Sequence, residues 1–335
     1  MKNYLLILAF LPSIFLISCG PNNSAEKEKQ KPAEVTVKSP EFNKDSAFSY
    51  VSAQVAFGPR VPNTKAHQKC ADYLFAKMKS YTSHVVDQKS VVRSFDDKNL
   101  NIRNIIGSFN PEKQTRIFLC SHWDSRPFAD HDPDPKNYNT PIDGANDGAS
   151  GVGILLEVAR VLAANNPGIG VDIVFFDAED YGQPQDKEPQ KEDTWCLGSQ
   201  YWAKNPHVPD YKANFGILLD MVGAANAVFL KEGYSIQYAP DIVNNVWSAA
   251  SRIGFSSFFP EQNGGYITDD HVYVNQIRNF PVIDIIHQDQ SGNHSFFEHW
   301  HTVGDKIQVI DQGTLKAVGQ TLLQVIFETA PQPAS

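Results

Sequence analysis

Cysteine is scarce, at four in 335 residues, too few for a disulfide scaffold in a chain this long. No C-x-x-C pair occurs, so the cysteines are not read as zinc ligands. Positive charge is in deficit, with 29 Lys and Arg against 38 Asp and Glu and a net charge of −9; this argues against a nucleic-acid partner. Neither a phosphate-cradling G-x-x-x-x-G-K nor a dinucleotide G-x-G-x-x-G opens a helix, and Gly148-Ala149-Ser150-Gly151 is not the G-x-S-x-G of a serine nucleophile. A D-x-D-x-D-G calcium loop is missing too. What remains is an acidic chain, 41% hydrophobic, able to bury a core.

The N-terminus sets the expected compartment. Lys2 is followed by 13 mostly apolar residues, Leu5 to Ile17, too short for a membrane span of ~20 residues. Leu16-Ile17-Ser18-Cys19 resembles a bacterial lipobox. Residues 1–18 are therefore expected to be a lipoprotein signal peptide and Cys19 a lipid anchor, placing the protein in the cell envelope, periplasm-facing or on the outer membrane. Residues 19–42 are polar and rich in Lys and Pro, which predicts a disordered tether. Residues 43–335 then form the folded, catalytic domain. Of the three remaining cysteines, Cys70 and Cys120 leave the option of one bridge.

From residue 43 the patterns alternate. Asp45–Phe57 and Thr64–Tyr81 read as helices, and Val85–Phe95 with Leu100–Phe109 as a hairpin. Apolar runs at Arg116–Cys120, Val171–Phe176, Phe215–Leu219 and Pro281–Ile286 alternate with helical stretches such as Gly151–Asn165 and Asp241–Ile253. Runs of that kind predict strands covered on both faces. A last helix is expected over Gln312–Glu328. The expected fold is a single α/β domain, a mostly parallel twisted sheet between helices, with ligands bound beyond the carboxyl ends of the strands.

Those ends carry acids and histidines. The first apolar run leads into Ser121-His122-Trp123-Asp124, and a turn-rich insertion, Arg126–Ile142, precedes Asp143-Gly144-Ala145-Asn146-Asp147. The second run leads into Asp177-Ala178-Glu179-Asp180 and the third into Asp220; Asp269-Asp270-His271 and His299-Trp300-His301 come later. Singly, each has an ordinary explanation. Asp147 could cap a helix, Asp143 could stabilise a turn, Asp124 is read in the same way, and His131 is read as a solvated surface histidine. Together, carboxylates converging in one crevice repel, so a cation is expected among them. Imidazole with carboxylate and no thiolate suits a catalytic zinc.

The series His122-Trp123-Asp124, Asp147-Gly148, Phe175-Phe176-Asp177-Ala178-Glu179-Asp180, Leu219-Asp220-Met221-Val222-Gly223-Ala224 and Trp300-His301-Thr302 resembles the zinc aminopeptidase (M28-like) superfamily, as does Gly58-Pro59-Arg60-Val61-Pro62. Within it, the chain is most similar to the glutaminyl-peptide cyclotransferases, over residues 45–330. The peptidases of that superfamily bind two zincs at positions matching His122, Asp147, Asp180, Asp220 and His301, all of which carry ligand types here. The two-zinc aminopeptidase reading therefore stays open, with His122 either a second-metal or a structural residue. The cyclases use one zinc, at the positions of Asp147, Asp180 and His301. Asp180 stands where animal cyclases have Glu, and the insertion Arg126–Ile142, the loop Tyr181–Thr194 and the segment Gln288–His294 depart from the pattern.

The resemblance implies cyclisation of N-terminal glutamine in peptides to pyroglutamate with loss of ammonia. It makes Glu179 the proton carrier, Asp220 and Asp269 its catalytic partners, and Trp195, Phe296 and Trp300 the pocket walls. A lipid-tethered binding protein with a dead enzyme fold would have lost Glu179 or a ligand carboxylate, and both are kept.

Overall fold

The computed structural model describes residues 37–288 and 296–329. The signal segment, Cys19, the tether up to residue 36 and the segment from residue 289 to His294 lie outside the described residues. Chain order runs α1 (Lys44–Val55), α2 (Lys65–Tyr81), β1 (His84–Arg93), β2 (Asn99–Phe109), β3 (Arg116–His122), α3 (Ala149–Ala164), β4 (Gly170–Phe176), α4 (Leu197–Lys204) and β5 (Phe215–Asp220). It continues through α5 (Gly233–Tyr238), α6 (Pro240–Arg252), α7 (Asp270–Arg278), β6 (Val282–Ile286) and α8 (Gln312–Thr329). No helix among the described residues is long and apolar enough to cross a membrane.

The six strands form one sheet in the order β1-β2-β4-β3-β5-β6. β3 pairs parallel with both β4 and β5, and β5 with β6, whereas β1–β2 and β2–β4 are antiparallel. The sheet is thus mixed, with its parallel half where the acids fall. The alternation of side chains across a strand sorts the core into two layers. Ile117, Leu119, Ile173, Phe175, Ile217 and Leu219 face one cluster with α1, α2, α3, α6 and α8. Phe118, Cys120, Val174, Phe176 and Leu218 face another with Trp202 of α4 and Val274 of α7. Both faces are covered, as the unbroken apolar runs require. Cys70, Cys120 and Cys196 are all buried free thiols, so the optional Cys70–Cys120 bridge is absent.

Residues 37–42, expected to belong to the tether, are packed. They lie along α8: Ser39 Oγ donates to Gln324 Oε1 at 3.0 Å, and Gln324 Nε2 donates to the Val37 carbonyl at 2.7 Å. The Phe42 amide donates to Gln320 Oε1 at 2.9 Å, and Phe42 itself is 1% exposed. Its ring fills the place a Cβ would take at Gly319, whose nearest such contact would be 2.2 Å from Phe42 Cε2. Glycine at 319 is what lets the ring dock. One aromatic residue in a polar stretch carries too weak a signal to mark a boundary. Phe42→Ala should cost about 3–5 kcal/mol, read as a lower urea midpoint with an unchanged denaturant slope; a midpoint equal to wild type would show that residues 37–42 do not contribute to the core.

Candidate active site

In an open α/β sheet, ligands bind outside the carboxyl ends of the strands where the strand order reverses. β3 is that point here, because the chain runs from β3 to β4 on one side and then to β5 on the other. β3 ends in His122, β4 leads into Asp177–Asp180, and β5 ends in Asp220. α3 starts at Ala149 behind Gly148, whose φ of 90° and close approach to the Asp124 carbonyl and the His122 ring exclude a side chain. Gly148 is the N-cap, so Asp147 is not the helix cap its position suggested, and its carboxylate is free to face the crevice. Asp269 does cap a helix, accepting the Asp270 amide at the start of α7.

Two donor sets meet at Asp147. Asp147, Asp180 and His301 each offer a ligand atom within 4.8 Å of the others, and so do His122, Asp147 and Asp220. His301 Nε2 lies 3.2 Å from Asp180 Oδ1 and 3.6 Å from Asp147 Oδ2. His122 Nε2 lies 3.0 Å from Asp147 Oδ1 and 3.2 Å from Asp220 Oδ1. Both oxygens of Asp180 are buried without a hydrogen-bond partner among the described residues. Two orphaned carboxylate oxygens beside an imidazole fit a bound dication, and this oxygen–nitrogen set fits zinc.

Glu179 points to the other side of the crevice. Its Oε1 accepts from Cys196 Sγ at 3.3 Å, and with Cys196 and Asp269 it forms a third close group. A cavity of about 270 Å³ opens on these residues. Eight of the ten expected side chains line it: Asp147, Glu179, Trp195, Asp220, Asp269, Phe296, Trp300 and His301. Asp180 and His122 do not, each being only 1% exposed. Phe296 meets Trp300 edge-on at 4.6 Å between centroids, and Trp195 lies parallel to the His301 ring at 5.9 Å.

Burial sets the electrostatics. It pushes the Glu179 carboxyl well above the usual range; the His122 charge opposes this, and Asp269 and Asp180 add to it. Burial and then the charge of Asp220 bring Asp269 up to about 7. Asp220 is also raised, mainly by burial, against the hydrogen bond from His122. Burial would neutralise His122, but Asp124, Asp147 and Asp220 outweigh it and hold the imidazole well above its ordinary value.

The profile of peptidase family M28 matches residues 104–326. The chain belongs to that family. A solved glutaminyl cyclase from Tannerella forsythia is 55% identical, with a TM-score of 0.84 over 86% of this chain and 99% of that one. A leucine aminopeptidase precursor from Bacteroides thetaiotaomicron VPI-5482 is 53% identical, also at 0.84, over 87% and 99%. The glutaminyl-peptide cyclotransferase of Bos taurus is 24% identical over 67% of this chain; the match spans 65% of that protein's length.

Two acids in this M28 chain do work that a linear reading missed. Asp124 is fully buried, its oxygens accepting the amides of Glu179 at 3.1 Å and Asp180 at 3.2 Å. Asp305, also fully buried, accepts the amides of Asn146 at 2.8 Å and Asp147 at 3.0 Å. Each clamps the backbone beneath an expected site residue. Asp124 had an ordinary turn reading, and its role corrects that. Asp143 stays an ordinary loop residue, its carbonyl accepting from Arg60. His131 is exposed but lies on Trp300, 4.2 Å between centroids. Asp124→Ala leaves two buried amides unpaired and should cost about 2–5 kcal/mol, measured by urea unfolding of the metal-free protein; a loss under about 0.5 kcal/mol would show the clamp to be dispensable.

Proposed function

We propose that this chain is a zinc-assisted glutaminyl cyclase, an acyltransferase that turns the N-terminal glutamine of peptides into pyroglutamate and ammonia. The observation that carries the reading is the grouping of Glu179 with Asp269 and Cys196, the two acids of which line an aromatic-walled pocket. Two buried carboxyls that close cannot both ionise cheaply, so they hold and pass a proton. The similarity to solved glutaminyl cyclases supports the same reading. The leucine aminopeptidase precursor of comparable similarity keeps the peptidase as the second reading, because His122, Asp147 and Asp220 form a second donor set.

Asp147, Asp180 and His301 would hold one zinc, which supplies Lewis-acid stabilisation of the developing charge on the amide oxygen. The chain's own groups do the rest. The pocket of Trp195, Phe296 and Trp300 folds the glutamine so that its α-amine meets its γ-carboxamide carbon, which supplies proximity and excludes water. As the ring C–N bond forms, the Glu179 carboxylate takes the amine proton. As the old C–N bond breaks, Glu179 returns that proton to the departing nitrogen, which leaves as ammonia. Asp269, grouped with Glu179, would share a proton with Asp220 and orient Glu179 and the reacting amide. His122, held between Asp147 and Asp220, is structural in this reading.

One assay separates the readings. Incubated with a Gln-initiated and a Leu-initiated peptide, the protein should release ammonia from the first and nothing from the second, with one zinc per chain by elemental analysis. Glu179→Gln should keep its zinc and lose about 10²–10⁴-fold in turnover. Free leucine with two zincs per chain would establish the peptidase instead.

The lipobox supports a second proposal, that Cys19 carries lipid and holds the enzyme in the cell envelope. Expressed with radiolabelled palmitate, the wild-type chain should take up label and Cys19→Ala should not; equal labelling of the two would remove the anchor.

A further inference from the structure

Arg126 opens the insertion that departs from the family pattern, and its guanidinium is completely buried. It grips Asp130 at both oxygens, Nε to Oδ1 and Nη2 to Oδ2, each at 2.6 Å. A fork on a carboxylate of this kind fixes both partners in one orientation. The third nitrogen, Nη1, donates to the Asp180 carbonyl at 3.0 Å and the Gly182 carbonyl at 3.3 Å, and lies 3.6 Å from Asp180 Oδ1. Its Cζ also stands 4.4 Å from the centre of the Trp195 ring. On the far side, Asp130 Oδ1 is 3.5 Å from His301 Nδ1, and that buried nitrogen makes no closer hydrogen bond among the described residues. The His131 amide donates to the His301 carbonyl at 3.2 Å.

One ion pair therefore touches two of the three donors and a wall of the pocket. The two nitrogens of His301 face different things. Nε2 faces Asp147 and Asp180, and Nδ1 faces Asp130. A carboxylate behind a metal-binding imidazole keeps the proton on the rear nitrogen, which frees the front one and fixes the ring's orientation. We propose that Arg126 and Asp130 are the positioning pair of this metal site: Asp130 selects the His301 tautomer, and Arg126 holds the Asp180 main chain and Trp195 at the matching place. The pair touches no reacting atom. The proposal rests on the reading that Asp147, Asp180 and His301 bind the zinc.

The test is equilibrium zinc affinity, measured by chelator competition without substrate, in wild type, Asp130→Asn and Asp172→Asn. Asp172 belongs to another buried pair, accepting from Arg116 Nη1 at 2.8 Å and Tyr211 Oη at 2.7 Å. It controls for the general loss of a buried ion pair. Asp130→Asn should bind zinc about 10–100-fold more weakly, and Asp172→Asn like wild type. Wild-type affinity in a folded Asp130→Asn, or equal weakening in both variants, would overturn the proposal. A wild type that binds no zinc overturns the metal reading and this pair's role with it. Nitrogen-15 NMR of the zinc-loaded wild type gives an answer even where Asp130→Asn does not fold. His301 should show a slowly exchanging proton on Nδ1, and an unprotonated Nδ1 would refute the assignment.

Discussion

The Asp147 carboxylate is the joint of the molecule. One of its oxygens lies 3.0 Å from His122 and the other 3.6 Å from His301, so it belongs to both donor sets at once. Burial first, and then the charge of Asp147, push the carboxyls of Asp180 and Asp220 above their ordinary range, whereas His122, His301 and Arg126 hold Asp147 itself below it. Two things oppose the repulsion among these acids, the imidazoles of His122 and His301 and the guanidinium of Arg126, and a bound cation would add a third. The fold has to bring these groups from β3, β4, β5 and the stretch before α8 to one point and hold them against their own charge.

The holding is done by backbone. Asp124 takes the amides of Glu179 and Asp180, and Asp305 those of Asn146 and Asp147. Around them the chain turns through left-handed conformations at Ala178, Cys196, Met221 and His301, none of them glycine. Such residues cost about 1–3 kcal/mol each and persist only where their surroundings over-determine them. Here they follow β4, precede α4, follow β5 and include His301, which stands beside Asp147 and Asp180. Strain and clamp are two sides of one arrangement, in which a rigid core lets the strand ends stay where chemistry needs them.

Much of this was legible from the residues in order. The strands declared themselves because burial on both faces removes the polar alternation from Ile117–Cys120, Val171–Phe176 and Phe215–Leu219. The acids of the site followed those runs directly. Strand direction was less visible: β2 pairs antiparallel with β4, and nothing in its composition distinguishes that from a parallel neighbour. Asp124, Asp305, Arg126 and Asp130 were missed for a different reason. A single charged residue in a loop has the same appearance whether it faces water or a buried amide. Only the partners distinguish the two, and for Asp305 they lie 158 and 159 residues away.

The short arm of Asp180 shows how these layers combine. Aspartate reaches less far than glutamate. Its Oδ1 nevertheless stands 3.2 Å from His301 Nε2. The backbone makes up the reach. The Asp180 amide is held by Asp124 and its carbonyl by Arg126, so the whole residue, not only its side chain, is fixed toward the histidine. Arg126 in turn is anchored by Asp130, and Asp130 faces the rear nitrogen of the same histidine. The ring of contacts closes on itself. A shorter side chain at 180 therefore comes with a buried guanidinium that fixes its backbone, and Trp195, resting on that guanidinium, ties the pocket wall to the same frame.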